Sequence, residues 1–330
     1  MKTSIVPRLI APGVICIASI AFCQQPELAI VERKASSVGF YTKAGIRTGG
    51  TAAGRTPHEI VFSPDRRTLY VSDNGILWMT ETGEGGNTIS IIDVSTRRKT
   101  GTIDLGNNRR PHGMDVLRKN GWIVVTVENP SGLLLVDPVA RNVVRRYDTH
   151  GTKPHMVLLD HKAQFAYVSN SGTGAVAMLN LVSGSVKTIP VGENPQGAVI
   201  TRDGKRVYVT ASIGNSIAII DTEKQELRGR IETGKGLGRV ALTPDEKALV
   251  YNMQLGERLG FADVATMKQT TEVVLPGHPL SLTLSADGQT AYLGIQDIDK
   301  IVIASVPKRE IVKVFDTPME SGPDPVLELR

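Results

Sequence analysis

The sequence has few residues suited to thiol or aromatic chemistry. Cysteine occurs only at Cys16 and Cys23, and Phe, Trp and Tyr together make up 5% of the 330 residues. Both cysteines lie in a segment that we expect to be removed. The remaining chain would then hold no disulfide, no thiolate metal site and no cysteine nucleophile.

Several signatures of catalysis and binding are also absent. The chain has no Gly-x-Ser-x-Gly elbow, no phosphate-binding glycine loop, no His-Glu-x-x-His helix and no haem-attachment cysteine pair. The formal net charge is only +5, and no basic run with interleaved aromatic residues occurs. We therefore expect no nucleic-acid partner.

The first 23 residues have the pattern of a secretory signal peptide. Lys2 and Arg8 form a positive region, and residues 9–22 are an apolar stretch too short to span a bilayer comfortably. We predict cleavage near Gln24, a periplasmic or secreted domain over residues 24–330, and no membrane span after cleavage. Lipoprotein anchoring at Cys23 is the weaker alternative, because bulky Phe22 precedes it.

A repeat of roughly 42 residues dominates the rest of the chain. In the segment 195–234, a short apolar strand leads through an Asp-Gly turn into a strand rich in Val and Tyr, and two further strands follow. The first two strands of each unit keep an offset of 12 residues in six units, which begin at Pro57, Pro111, Pro154, Pro195, Leu237 and Pro279. Four short strands per period are typical of the blades of a β-propeller.

The two ends of the repeat region determine the predicted number of blades. Residues 28–50 supply three strands of a unit, and residues 325–330 supply one innermost strand. We predict that these strands pair and close the ring. The fold class is therefore an all-β, seven-bladed β-propeller with four antiparallel strands per blade, since six units plus one composite unit make seven.

Two segments carry a family resemblance. Tyr167-Val-Ser-Asn and Tyr208-Val-Thr-Ala follow Pro-x-(Gly or Met)-type inner strands, and they resemble the YVTN-type propeller repeats of secreted and surface proteins. The resemblance covers residues 28–330 and implies the propeller fold and a binding or surface role. Related propeller groups include lactonases, lyases and the catalytic domain of nitrous oxide reductase, but a shared fold does not transfer their chemistry.

Three of the six histidines occupy one repeat position, directly after the proline that begins the inner strand. These are His58, His112 and His155, with Gln196 at the same position of the next unit. Equivalent positions of a closed propeller surround one channel, so we expect these side chains to converge at its mouth, on the face we name the top. The following position holds Glu59 in one blade and Arg239 across the channel.

This arrangement allows three hypotheses. The three imidazoles could hold a transition metal such as Zn or Cu, although adjacent blades spread them over an arc. They could act with Glu59 as acid–base and hydrogen-bonding groups, while Arg239 holds an anionic group. Alternatively, Pro-His is only a feature of the repeat, with each imidazole bonded to backbone or water.

One loop departs from the repeat. Between the second and third strands of the first unit the offset is 20 residues instead of 10, and the extra residues fall within 74–87. This loop emerges on the top face and carries Trp78 and Glu81 on a glycine-rich insertion. It is typical of a recognition loop, and a tolerated surface insertion is the alternative.

From these observations we predict an extracytoplasmic binding or scaffold protein, acting as a monomer. Its top-face mouth would hold a small polar or anionic molecule, or a cell-surface protein or glycan. The alternative is a lactonase-like hydrolase or a lyase that uses His58, His112, His155 and Glu59 for catalysis. A third alternative is an adhesion module that uses the rim of the propeller.

Overall fold

A computed structural model describes residues 25–329 and confirms the seven-bladed propeller with four antiparallel strands per blade. The predicted signal peptide, residues 1–23, lies outside the described residues. Within those residues, no helix has the length and apolar character needed to cross a membrane. Over residues 25–329, the regular structure consists of 28 strands and one short 3₁₀ helix, Gln296–Ile298.

The strands are numbered in chain order, four to a blade, with the innermost strand first in blades 1 to 6. Blades 1 to 3 contain β4 to β15: Pro57–Phe62, Thr68–Asp73, Thr88–Asp93 and Arg98–Asp104; Arg109–Val116, Ile123–Asn129, Ser131–Asp137 and Asn142–Tyr147; Pro154–Leu159, Phe165–Asn170, Ala175–Asn180 and Val186–Pro190. Blades 4 to 6 contain β16 to β27: Pro195–Ile200, Arg206–Ala211, Ser216–Asp221 and Glu226–Glu232; Leu237–Leu242, Ala248–Met253, Arg258–Asp263 and Lys268–Val274; Thr283–Leu284, Thr290–Ile295, Lys300–Ser305 and Glu310–Asp316.

The composite blade joins the two ends of the described chain. Its strands from the channel outward are β28, β1, β2 and β3, which span Pro323–Glu328, Leu28–Glu32, Ser37–Tyr41 and Arg47–Ala52. The predicted closure is therefore confirmed, but β28 begins at Pro323 rather than at residue 325. Its ladder with β1 extends from Leu28 opposite Glu328 to Glu32 opposite Pro323, so the inner strand lies two residues earlier in the chain than we predicted.

The core is divided among the interfaces between blades. Seven clusters of buried apolar side chains lie one at each contact between neighbouring blades. The second and third strands of a blade are buried on both faces and are therefore almost continuously apolar, whereas outer strands such as β7 alternate between exposed and half-buried residues. The tyrosines of the second strands belong to this core, as predicted.

Short polar side chains organise both ends of the blades. At the bottom, Asp93, Asp137 and Asn180 accept backbone hydrogen bonds from the turns that follow them, as we expected of turn caps. Nearer the top, Ser72 accepts a hydrogen bond from the Glu59 amide (2.9 Å) and donates one to the His112 carbonyl (2.8 Å) in the next blade. Second-strand hydroxyl groups thus connect successive inner strands.

A glycine allows two inner strands to approach closely. A Cβ atom at Gly113 would lie 2.6 Å from the carbonyl oxygen of His155 in the neighbouring blade, closer than real Cβ contacts allow. Because Gly113 follows His112 directly, this approach brings the two histidine-bearing strands together. The packing of the inner strands therefore positions the residues at the channel mouth.

Candidate functional site

The residue that directly follows the start of each repeat unit faces one cavity on the top face. Its volume is about 630 Å³, and its lining contains this residue from all seven blades. In ring order these residues are His58, His112, His155, Gln196, Gly238, Leu280 and Asp324. The predicted convergence of the three histidines at the channel mouth is therefore what the fold produces.

The composite blade contributes a residue that the sequence analysis missed. From the sequence we expect the inner strand of this blade to begin at residue 325, which makes Pro325 the counterpart of the prolines that begin the other units. The register of β28 with β1 instead makes Pro323 the equivalent residue and places Asp324 in the ring. This prediction was wrong because β28 pairs with β1, at the other end of the chain. The 12-residue offset between the first and second strands of a unit therefore cannot be counted in this blade.

The three imidazoles lie next to one another, with the planes of neighbouring rings tilted by 41–43°. The ring centroids of His58 and His112 are 3.6 Å apart, those of His112 and His155 are 4.0 Å apart, and those of His58 and His155 are 6.2 Å apart. All three side chains are buried. Burial, together with the nearby positive charges of Arg33 and Arg239, holds the pKa of all three well below the ordinary value of 6.5. Burial therefore favours the neutral form of all three imidazoles.

Two buried pairs of opposite charge adjoin the histidines. Arg33 Nη1 lies 3.3 Å from Asp324 Oδ2, and Arg239 pairs with Glu59 Oε1, which also lies 3.1 Å from His58 Nδ1. Burial raises the pKa of Glu59 to about 7 despite the opposing effect of Arg239. Burial likewise raises the pKa of Asp324, and Arg33 opposes this shift.

Glu59 lies one layer below the ring, where it lines a second cavity of about 200 Å³. Arg239 lines both cavities. Neighbouring residues of a regular strand point to opposite faces, but β4 has a bulge between Pro57 and Ile60. The bulge interrupts this alternation, which is consistent with the 3.1 Å contact between His58 Nδ1 and Glu59 Oε1.

The insertion between β5 and β6 covers one side of the cavity. Trp78 is 48% exposed and contributes to the lining, as do Leu77 and Met79. Arg33 donates a hydrogen bond to the Leu77 carbonyl (2.5 Å) and so connects this loop to the ring through Asp324. The lengthened loop predicted near the histidines is therefore part of the cavity wall.

Further contacts hold the insertion in shape. Arg110 donates to the carbonyl groups of Glu81 and Gly83. The Glu81 carboxylate accepts hydrogen bonds from the Leu77 and Trp78 amides at 3.2 Å and lies outside the cavity lining. Glu81, which we had placed among the ligand-binding candidates, thus stabilises the loop in this structure. Gln196, another candidate, lines the cavity and donates to Asn194 (2.7 Å).

Unsatisfied polar atoms are concentrated around the cavity. Among the described residues, eight buried side-chain nitrogen or oxygen atoms lack a hydrogen-bond partner, and four belong to cavity-lining residues. These four atoms are Arg33 Nε, His112 Nδ1, His155 Nδ1 and Asp324 Oδ1. Buried polar groups are normally paired with protein, water or a ligand, so these four atoms make the cavity a candidate binding site.

One group at the site could hold a metal ion. Candidate ligand atoms of His58, Glu59 and His112 all lie within 4.8 Å of one another. His155, which we had included in the predicted metal set, is not part of this group. The structure therefore offers two imidazoles and one carboxylate rather than three imidazoles.

Fold and site together define a β-propeller with a histidine-lined cavity at one end of its channel. A comparison with models of known protein families found no match, so the YVTN assignment stays a prediction. The chain is 23% identical over 236 residues to the protein YncE of Salmonella typhi and of Salmonella typhimurium, and this alignment covers 66% of the chain and 66% of the relative.

Solved structures share the fold at low sequence identity. The periplasmic gluconolactonase PpgL of Pseudomonas aeruginosa superposes with a TM-score of 0.74 at 14% identity, over 92% of this chain and 98% of that one. The dihydro-heme d1 dehydrogenase NirN gives 0.68 at 15% identity, over 92% and 75%. The hydrazine synthase of Kuenenia stuttgartiensis gives 0.64 at 19% identity, over 76% and 77%.

Proposed function

We propose that this protein is an extracytoplasmic binding propeller that holds a small polar or anionic molecule in the top-face cavity. The observation that carries the proposal is the set of buried, unpartnered polar atoms of Arg33, His112, His155 and Asp324 around one cavity of about 630 Å³. A ligand with both hydrogen-bond donors and acceptors would satisfy these atoms. The location outside the cytoplasm rests on the predicted signal peptide.

The cavity also favours a particular shape of ligand. Trp78, Leu77 and Met79 offer an apolar wall, and Lys153 provides positive charge among the lining residues. Arg33 is paired with Asp324, but its Nε atom has no hydrogen-bond partner. Aromatic side chains cover an apolar face of a ligand well, and guanidinium or ammonium groups attract carboxylates. A polyhydroxylated carboxylate, such as a sugar acid, combines the two properties.

Calorimetric titration of the full chain with D-gluconate and D-glucuronate tests this proposal, and D-glucose serves as the uncharged comparison. We expect the acids to bind and His155→Ala to weaken them by about 2- to 12-fold, which corresponds to one hydrogen bond of 0.5–1.5 kcal/mol. The matched control is His161→Ala, because His161 lies in a bottom turn and bonds the Thr201 carbonyl. Equal weakening by both variants, or no acid binding, would contradict the proposal.

A second function deserves a test because of the contact between His58 and Glu59. If His58 Nδ1 donates its proton to Glu59, the lone pair lies on Nε2, and the imidazole can act as a general base. The gluconolactonase named above shares the fold and suggests the substrate class for this alternative. We would follow hydrolysis of D-glucono-1,5-lactone with a pH indicator. A wild-type rate above background that Glu59→Gln abolishes would support the hydrolase, and a background rate would exclude it for this lactone.

A further inference from the structure

The candidate metal group comes from two successive blades. His58 and Glu59 lie on β4 in blade 1, and His112 lies on β8 in blade 2. All three side chains are buried, and His58 Nδ1 is 3.1 Å from Glu59 Oε1. Ligand atoms at 2.0–2.1 Å from a tetrahedral zinc ion are about 3.3–3.4 Å apart, so these two side chains lie close enough together to bind the same ion.

The backbone holds these residues in place without any help from a ligand. Ser72 bridges the Glu59 amide and the His112 carbonyl, and the bulge in β4 interrupts the alternation at His58 and Glu59. A metal site needs such contacts because the interactions made by the ligating residues with their neighbours fix the orientation of the ligands. The supporting contacts are buried, and they link the two strands that carry all three side chains.

The side chains also have free capacity for coordination. Glu59 receives both of its hydrogen bonds, from His58 and Arg239, at Oε1, and Oε2 has no hydrogen bond among the described residues. His112 Nδ1 is buried and unpartnered, so its coordination would break no hydrogen bond within the protein. With zinc bound, the metal would be the partner of this atom, and the bound molecule would satisfy the atoms of Arg33, His155 and Asp324. Arg239 would remain beside the carboxylate and orient it, as partners of metal-bound carboxylates do.

From this geometry we propose that His58, Glu59 and His112 form a zinc site with a fourth position open to the top-face cavity. Two imidazoles and one carboxylate are a ligand set that zinc accepts with an exchangeable fourth ligand. The inference deepens the proposed function and rests on it, because that open position would be filled by the molecule that the cavity binds. His155, whose ring centroid is 6.2 Å from that of His58, would contact the bound molecule and not the metal.

The first experiment uses the full chain after removal of metals with a chelator. Titration with ZnCl₂, followed by calorimetry and elemental analysis, is expected to give one zinc ion per chain. His58→Ala and His112→Ala should abolish stoichiometric binding, and Glu59→Gln should weaken it by at least 10-fold. His161→Ala is the control, and its affinity should equal that of the wild type. Circular dichroism checks that each variant is folded.

His155→Ala is the discriminating variant. The proposal predicts that it retains one zinc ion with an affinity within about 3-fold of wild type, whereas a site made of three histidines predicts loss. Histidine side-chain ¹⁵N spectra of the wild-type protein give a second readout that needs no substitution, and zinc should shift two of the six imidazoles. No stoichiometric zinc, shifts in three imidazoles, or loss of zinc in His155→Ala would overturn the proposal.

Failure of the zinc site can be separated from failure of the proposed function. The sugar acids are titrated into both the metal-free and the zinc-loaded protein. Acid binding without stoichiometric zinc would overturn the zinc site and leave the binding function standing. Zinc binding without any acid binding would support the site and contradict the choice of ligand.

Discussion

The buried pair of Arg33 and Asp324 allows a quantitative prediction. Their side chains are only 4% and 2% exposed, and the two residues connect the ring to the insertion loop. Removing one partner of such a pair leaves an uncompensated buried charge, which costs about 3–5 kcal/mol. We expect Asp324→Asn to lower the free energy of unfolding by about 3 kcal/mol, the lower end of this range, because the new amide oxygen can still accept a hydrogen bond.

Arg33→Met should behave differently, because a carboxyl group can take up a proton and a guanidinium group does not. Burial already raises the pKa of Asp324 above its usual 3.8, so the folded protein holds this proton more tightly than the unfolded chain does. The stability of the fold therefore falls as the pH rises through the folded pKa and Asp324 becomes ionised. Without Arg33 the pKa rises further. The stability lost in Arg33→Met should therefore be smaller at pH 5 than at pH 8.

Urea unfolding followed by circular dichroism measures these quantities for wild type, both single variants and the double variant. Because the two groups are in contact, we expect the loss in the double variant to be at least about 1 kcal/mol less than the sum of the single losses. Additive losses would show that the two groups do not interact in solution. A loss in Arg33→Met that grows on acidification would refute the assignment of Asp324 as the group left unpaired.

Three further predictions concern the inner strands and the insertion. Gly113→Ala should lower the free energy of unfolding, measured with urea, by about 1–3 kcal/mol through overpacking. The control is Gly49→Ala, whose added Cβ atom would meet no atom within 4 Å, and equal losses in both variants would contradict the close approach. Arg110→Ala should speed proteolysis within residues 77–84, because it removes hydrogen bonds to two carbonyl groups of the loop, and Arg109→Ala should have a smaller effect. An unchanged cleavage rate in Arg110→Ala would show that other contacts hold the loop. Ser72→Ala should lower the free energy of unfolding by about 1–3 kcal/mol, since it leaves the Glu59 amide and the His112 carbonyl without a partner. An unchanged midpoint of urea unfolding would argue against the bridge that Ser72 forms between these two groups.

The sequence predicts the fold because each blade repeats the same local pattern. The 12-residue offset between the first two strands sets the inner position, so His58, His112 and His155 could be assigned to one ring from spacing alone. Trp78 could be assigned to the top face because its loop joins the second and third strands of a blade.

The contacts that depend on three-dimensional detail were not predictable in this way. The contact between His58 and Glu59 occurs at a bulge, which leaves no mark in the spacing of apolar residues. Asp324 was missed because its register depends on pairing with β1, although Pro323-Asp324 in the place of Pro-His was a usable signal. Glu81 was assigned to ligand binding because a carboxylate on a loop shows nothing of the amides it caps.

The composite blade has a consequence for synthesis. Strand β1 is fully buried in the folded protein, yet β28, which covers its channel-side edge, is translated about 290 residues later. At 5–20 residues per second the ribosome needs about 15–60 s for that stretch. During this time the nascent chain carries an apolar strand with an open edge, to which another chain could pair. Release of the whole chain before folding begins, as occurs in export of an unfolded polypeptide, would remove that interval.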